Sequence, residues 1–197
     1  MKKSIKLVMF LTFLFVITAC ENKVPEQVKR VVDKYDVDIS KHRAVFVNDI
    51  ANIRAKGTSC GGAVDSLRYN PYLEAAAKAH AKDMAVNHMV QHDGSGTLTD
   101  PAREANGIGS TFMKRIIFFG YPAKTHDLVG ETVAHTKNNY LKTKDLKTHY
   151  KRALEIILND PKHCRILMNP RFKDVGIGAY RSNDGYYWAI TYGETDD

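Results

Sequence analysis

Residues 158–180 read LNDPKHCRILMNPRFKDVGIGAY, and their punctuation sets out the architecture. Asp160-Pro161 is a helix start: the carboxylate can accept backbone N–H groups of the first turn, and proline fits the first helical position. Asn169-Pro170 ends that helix, because the residue before a proline is pushed out of the helical region. The next run, FKDVGIGAY, is β-rich. It is separated by RSNDG, a hairpin-turn sequence, from a second β-rich run, YYWAITYG. Tyr186, Trp188 and Tyr192 then alternate onto one strand face, where Trp188 is expected in the sheet core.

Helical patterns precede this hairpin. HRAVFVNDIANIRAKG places Phe46, Ile50 and Ile53 along one side and stops at Gly57. NPYLEAAAKAHAKDMAVNH is the strongest helix of the chain, with Asn70 as N-cap and Pro71 in the first turn. Leu73, Ala76, Ala77, His80 and Met84 mark its buried side, and Lys78, Lys82 and Asp83 fall among its polar positions. A loop, HDGSGTLTDP, comes next. KRIIFFGYP reads as a short strand or an apolar loop packed in the domain. From Lys144, KDLKTHYKRALEIILND puts Leu146, Tyr150, Leu154 and Ile157 on one side of a helix. Helices around a small antiparallel sheet make an α+β layered domain.

The 197 residues suit one domain plus a short appendage, at 44% hydrophobic and 26% charged. The appendage is N-terminal. Lys2, Lys3 and Lys6 precede the apolar run Leu7 to Ala19, too short for the ~20 residues of a membrane span but suited to a secretory signal. Ile17-Thr18-Ala19-Cys20 resembles a bacterial lipobox, which implies cleavage before Cys20 and a diacylglyceryl group on its sulfur; an ordinary signal peptide is the alternative. Residues 1–19 are thus expected as signal peptide and 20–41 as lipidated cysteine and tether, with Val28, Val31, Val32 and Tyr35 at helical spacing. The domain is expected over 42–197. The expected location is the cell membrane, lipid-anchored and extracytoplasmic, either periplasmic or at the cell surface. Losing Lys2, Lys3 and Lys6 leaves 26 basic against 22 acidic residues, and a net +4 is no case for nucleic acid.

The chain has three cysteines, Cys20, Cys60 and Cys164. A lipid on Cys20 leaves an even pair, and two thiols outside the cytoplasm usually oxidise. Cys60–Cys164 is the expected disulfide; two free buried thiols are the alternative.

Four blocks in order, LRYNPYLEAAAKAHAKDMAVNHMVQHDGS, VGET, the opening stretch and GYYWAITYG, resemble a bacterial CAP domain (SCP/PR1-like), the superfamily of cysteine-rich secretory proteins, antigen 5 and pathogenesis-related 1. The resemblance implies a three-layer α-β-α sandwich and a cleft with two histidines and two acids. By motif these are His92 in Gln91-His92, Glu131 in Gly130-Glu131 and His163 in Asp160-Pro161-Lys162-His163, with Glu155 the nearest acid for the fourth place. The tryptophan that bacterial members often carry on the helix before the last histidine is replaced by Ile157-Leu158. A cysteine after the last histidine paired with one in an upstream Gly-rich loop also occurs in such relatives.

The residue chemistry leaves three uses open. His92, His163 and Glu131 are a plausible site for zinc or another divalent cation. They could also do general acid/base work, or form a polar network that only orders the cleft. HExxH is absent, and no G-x-S-x-G elbow is visible between a strand and a helix. The leading expectation is a binding module with a lipid, glycan or protein ligand; the alternative is a metal-dependent hydrolase or peptidase using the same cleft. His80 is expected as a packed helix residue and His88 to face solvent, and His126, His135 and His149 lack any convincing partner spacing.

Overall fold

The computed structural model describes residues 37–123 and 129–194. The expected signal peptide, Cys20, the helical tether residues Val28 to Tyr35, and His126 lie outside these residues.

Helix α1 (Arg43–Lys56) is followed by strand β1 (Arg68–Tyr69), α2 (Pro71–Val86) and α3 (Phe112–Phe118). Then come β2 (Val129–Lys137), α4 (Asn138–Leu141), α5 (Leu146–Asn159), α6 (Pro161–Leu167), β3 (Asp174–Arg181) and β4 (Gly185–Gly193). The sheet order is β1-β3-β4-β2, with β1 parallel to β3 and the remaining pairs antiparallel. Ser182 N–H donates to Gly185 O to close the hairpin, as RSNDG predicts.

Two helical layers cover the sheet. On one face α1, α5 and α6 meet Val175, Ile177, Ala179, Tyr186, Trp188, Ile190 and Tyr192. Phe46 stacks on Tyr150 at 3.8 Å between ring centroids, and Trp188 meets Phe46 edge-on. Trp188 is wholly buried, its indole N–H donating to Thr136 Oγ1 at 3.1 Å. Val37 and Ile39, at the end of the expected tether, are buried in this same core.

On the other face α2 lies directly on β3. A Cβ on Gly176 would sit 2.0 Å from Glu74 N, and one on Gly178 would sit 2.2 Å from Ala77 C. The glycines of VGIG and the alanines of α2 thus let helix and strand backbones approach more closely than larger side chains permit. Consequently α2 is buried nearly all round, beyond the single side that periodicity marks. Its charges are retained by pairing: Glu74 takes Lys78 at 2.8 Å and Arg43 at 2.7 and 2.8 Å.

KRIIFFGYP is neither strand nor loop but mostly helix. Thr111 Oγ1 accepts from Lys114 N and starts α3, and Met113, Ile116 and Phe119 bury against α2 at helical spacing. β-branched and aromatic content favours a strand, but the cap and the period decide. The run divides, because Ile117 and Phe118 stay exposed.

Candidate functional site

The site forms at the Val129 end of β2, which is an edge of the sheet. Alternation along the strand separates two neighbours. Glu131 faces α2 and α3, whereas Gly130 faces the Phe172 and Ile166 side chains, within 3.1 Å of where a Cβ would lie. Each layer delivers one imidazole to this edge.

His92 comes from the loop after α2. Two buried aspartates order that loop. Asp83 accepts from Ser95 N at 2.8 Å, Ser95 Oγ at 2.5 Å and Thr99 Oγ1 at 2.6 Å. Asp100 accepts from Ser110 N at 2.7 Å and Ser110 Oγ at 2.6 Å. Arg115 then ties loop to strand: it donates to Ser110 O at 2.8 Å, to His92 O at 2.5 Å and to both Glu131 oxygens at 3.2 and 3.1 Å. His163 comes from α6, whose start is as the sequence predicts. Asp160 Oδ1 accepts from Lys162 N at 2.8 Å and His163 N at 3.0 Å, with Pro161 in the first turn. The Cys60–Cys164 disulfide fastens the next residue of α6 to the loop after α1. Arg54, fully buried, donates to Leu167 O at 2.5 Å and Asn169 O at 3.1 Å, holding the turn that carries Asn169.

His92 Nδ1 lies 3.1 Å from Glu131 Oε1, and His92 Nε2 lies 3.1 Å from His163 Nε2. Burial opposes the Glu131 charge, but His80 at 3.7 Å, Arg115 and His92 outweigh it and hold the carboxyl at about 2. An ionised Glu131 accepts only, so His92 donates from Nδ1. Between the two Nε2 atoms one ring donates and the other accepts. Burial, then the neighbouring His92, push the His163 pKa below its usual value. One buried carboxylate braces the His92 ring from behind.

Beside them opens a cavity of about 390 Å³, lined by His92, Phe112, Glu131, Ile166, Asn169 and Phe172 among others. Its walls are mainly apolar, with polar atoms at the His92 end and at Asn169.

The profile of the Cysteine-rich secretory protein family, CAP, matches residues 47–192. The chain belongs to the CAP family. Among solved structures, this CAP domain is similar to an outer surface protein from Borrelia burgdorferi, at 20% identity and TM-score 0.57, over 81% of this chain and 97% of that one. It is also similar to an extracellular protein containing a SCP domain from Bacillus anthracis, at 18% identity and TM-score 0.50. That match covers 81% of this chain and 44% of the Bacillus chain, so the CAP domain spans less than half of that protein. These likenesses establish the α+β sandwich. No match is found among curated proteins.

Of the expected site residues, His92, Glu131 and His163 come together. Glu155 does not: it is exposed on α5, where its carboxylate accepts from Arg152 at 2.8 Å. Ala153, Leu154 and Ile157 of the same helix take the buried face. Glu131 also departs from the expected ligand set. It lies behind His92, on Nδ1, while the facing nitrogens are both Nε2. No group of three His, Cys, Asp or Glu side chains among the described residues is placed to share one ion.

Two residues of the site escape the sequence reading. His80, expected only as a packed helix residue, is fully buried with Nε2 2.7 Å from Gln91 O and beside Glu131. Arg115 carries a signal of its own, as the cation inside an apolar run, which demands a buried partner. His149 is buried between Thr136 Oγ1 and Thr143 O, His135 stacks on Tyr187, and His88 is exposed.

Proposed function

We propose that this chain is an exported CAP-domain binding module of the bacterial envelope, held there by a lipid on Cys20, which receives its ligand in the cleft beside His92 and His163. The observation that carries the binding reading is the state of Glu131. Arg115 and His92 already occupy both of its oxygens and it is 2% exposed. A carboxylate so held is a poor general base, since its pKa lies far below neutral. The groups open to a ligand are two imidazoles and an apolar groove. Export is supported by the signal-like N-terminus, by the disulfide, and by the outer-surface and extracellular descriptions of the two structural neighbours.

A divalent cation fits this arrangement to a limited extent. Two imidazoles on one tetrahedral ion stand about 3.3 Å apart, given nitrogen–metal bonds of about 2.0–2.1 Å. The 3.1 Å between His92 Nε2 and His163 Nε2 is close to that. They would be its two protein ligands, Glu131 would fix the His92 ring through Nδ1, and a bound ion would supply Lewis acidity.

Anchor and cleft are tested separately. Alkynyl fatty-acid labelling in the producing cell should mark the protein, and Cys20→Ser should abolish the mark and release it from the membrane fraction; persistent label after Cys20→Ser removes the anchor. For the cleft, purified protein is titrated with zinc alone by calorimetry and incubated with a broad peptide panel. The binding module shows no turnover with or without zinc. Cleavage that chelator abolishes and His92→Ala abolishes would install the hydrolase instead.

A further inference from the structure

The far end of β2 carries a different surface. From Lys137 to Arg152 six of sixteen residues are Lys or Arg, against one acid, Asp145. The fold brings Arg181 of the β3–β4 hairpin to the same end, since Asn138 N donates to Asp184 O and Tyr186 OH donates to Lys144 O. Lys137, Lys142, Lys144, Lys147, Lys151, Arg152 and Arg181 are all exposed. The local acids are already engaged: Asp145 caps α5 through Thr148, Asp184 takes Ser182 and Tyr187, and Glu155 takes Arg152. Among the described residues Lys137, Lys142, Lys144, Lys151 and Arg181 make no ion pair. Several cations elsewhere are matched, as in Arg43–Glu74, Lys114–Glu104 and Lys173–Asp65.

Two shallow hollows flank α4. One of about 170 Å³ is bordered by His135, Lys137 and Arg152, and one of about 340 Å³ by Lys144 and Arg181. Tyr140 borders the first of them, 78% exposed on a turn flanked by Lys137 and Lys142. An aromatic ring projecting among lysines matches the composition of segments seated at a bilayer interface, where the ring lies at headgroup depth and the cations meet lipid phosphates.

We infer that the Lys137–Arg152 end, with Arg181 and Tyr140, is a docking surface for an anionic phospholipid membrane. Charge complementarity and the projecting Tyr140 favour a bilayer over a soluble polyanion, which needs no aromatic at the tip. The surface lies six residues from Glu131 along β2, about 20 Å at strand rise, so docking by this end turns the His92–His163 cleft away from the lipid. It is independent of the ligand assigned to that cleft.

Residues 37–194 close their own core and disulfide, so the chain from residue 21, which carries no lipid, is the material for the test. Its binding is measured to phosphatidylcholine vesicles with and without phosphatidylglycerol. Binding is expected only with the anionic lipid and is lost in high salt. At roughly fivefold per cation near such a surface, K137Q/K142Q/K144Q/K151Q weakens it at least 100-fold. The charge-matched K41Q/K56Q/K162Q/R165Q changes it little, and Y140S weakens it several-fold at constant charge. Retained disulfide and melting temperature certify each variant. Equal loss in both quadruple variants, or none in the first, overturns the assignment. Tight binding to soluble polyphosphate with vesicles left unbound overturns it in favour of a soluble polyanion.

Discussion

Arg115 is one guanidinium on which three chain segments depend: the Ser110 turn, the His92 backbone and the Glu131 carboxylate. Arg115→Met keeps much of the volume and removes the charge. It leaves Glu131 ionised, buried and short of a partner, a condition that costs about 3–5 kcal/mol. Urea unfolding should show that loss, whereas Glu155→Ala on the exposed face of α5 should stay within about 0.5 kcal/mol. The same residues set the response to acid. Glu131 is held at about 2 against an ordinary 4.5, so its contribution is complete above 4.5 and fades as pH falls towards 2. His80 and His163 are lowered from 6.5, both chiefly by burial. They are neutral in the native state, the unfolded chain binds their protons first, and stability falls as pH drops below 6.5. Melting temperature should therefore decline in two stages from pH 7 downwards. His80→Gln should flatten the first stage and Glu131→Gln the second; a single stage near pH 4 in the wild type would contradict the histidine assignment.

At the scale of elements, α2 is packed backbone to backbone on β3. A methyl group at Gly178 meets the backbone of Ala77 and Lys78, which has no rotamer to yield. Gly178→Ala should cost more than the ~1–3 kcal/mol of ordinary overpacking and is expected to abolish cooperative melting, while Ala179→Gly on the opposite face should not. This contact also marks the boundary of what a sequence displays. Caps and periodicity are local, so Asn70, Asp160, the RSNDG turn and the helix from Leu146 are all legible. Long-range closeness is not local: nothing within VGIG says which backbone its glycines admit. α3 is misleading because Ile116, Ile117, Phe118 and Phe119 have strand composition, and their period emerges only once α2 offers a surface. At the site, motif order points to His92, Glu131 and His163, but the facing of Glu155 depends on where α5 settles. The behind-the-ring position of Glu131 depends on Arg115 and His80, which no motif marks.

For the whole molecule, the disulfide joins the start of the chain's core to the element that carries half of the cleft. Cys60 and Cys164 are 104 residues apart, and closing a loop of that size restricts the unfolded chain by about 4.7 kcal/mol in the chain-entropy treatment. Cys60→Ser/Cys164→Ser should lose stability of that order, at most, in urea at neutral pH. The native consequence is more specific. α6 is a seven-residue helix, too short to persist alone, and among its side chains only Cys164 and Leu167 are buried. Its hold on the domain rests on that bond, on Leu167, and on Arg54 beneath its last carbonyls. Without the bond, His163 should sample positions away from His92 while His92 stays fixed by Glu131 and Arg115. Zinc affinity should then fall at least tenfold in the double serine variant. Arg43→Gln, which loosens the opposite face at Glu74, should lower stability but leave zinc affinity within twofold. Equal zinc binding in the oxidised and serine forms would show that α6 is held by packing alone.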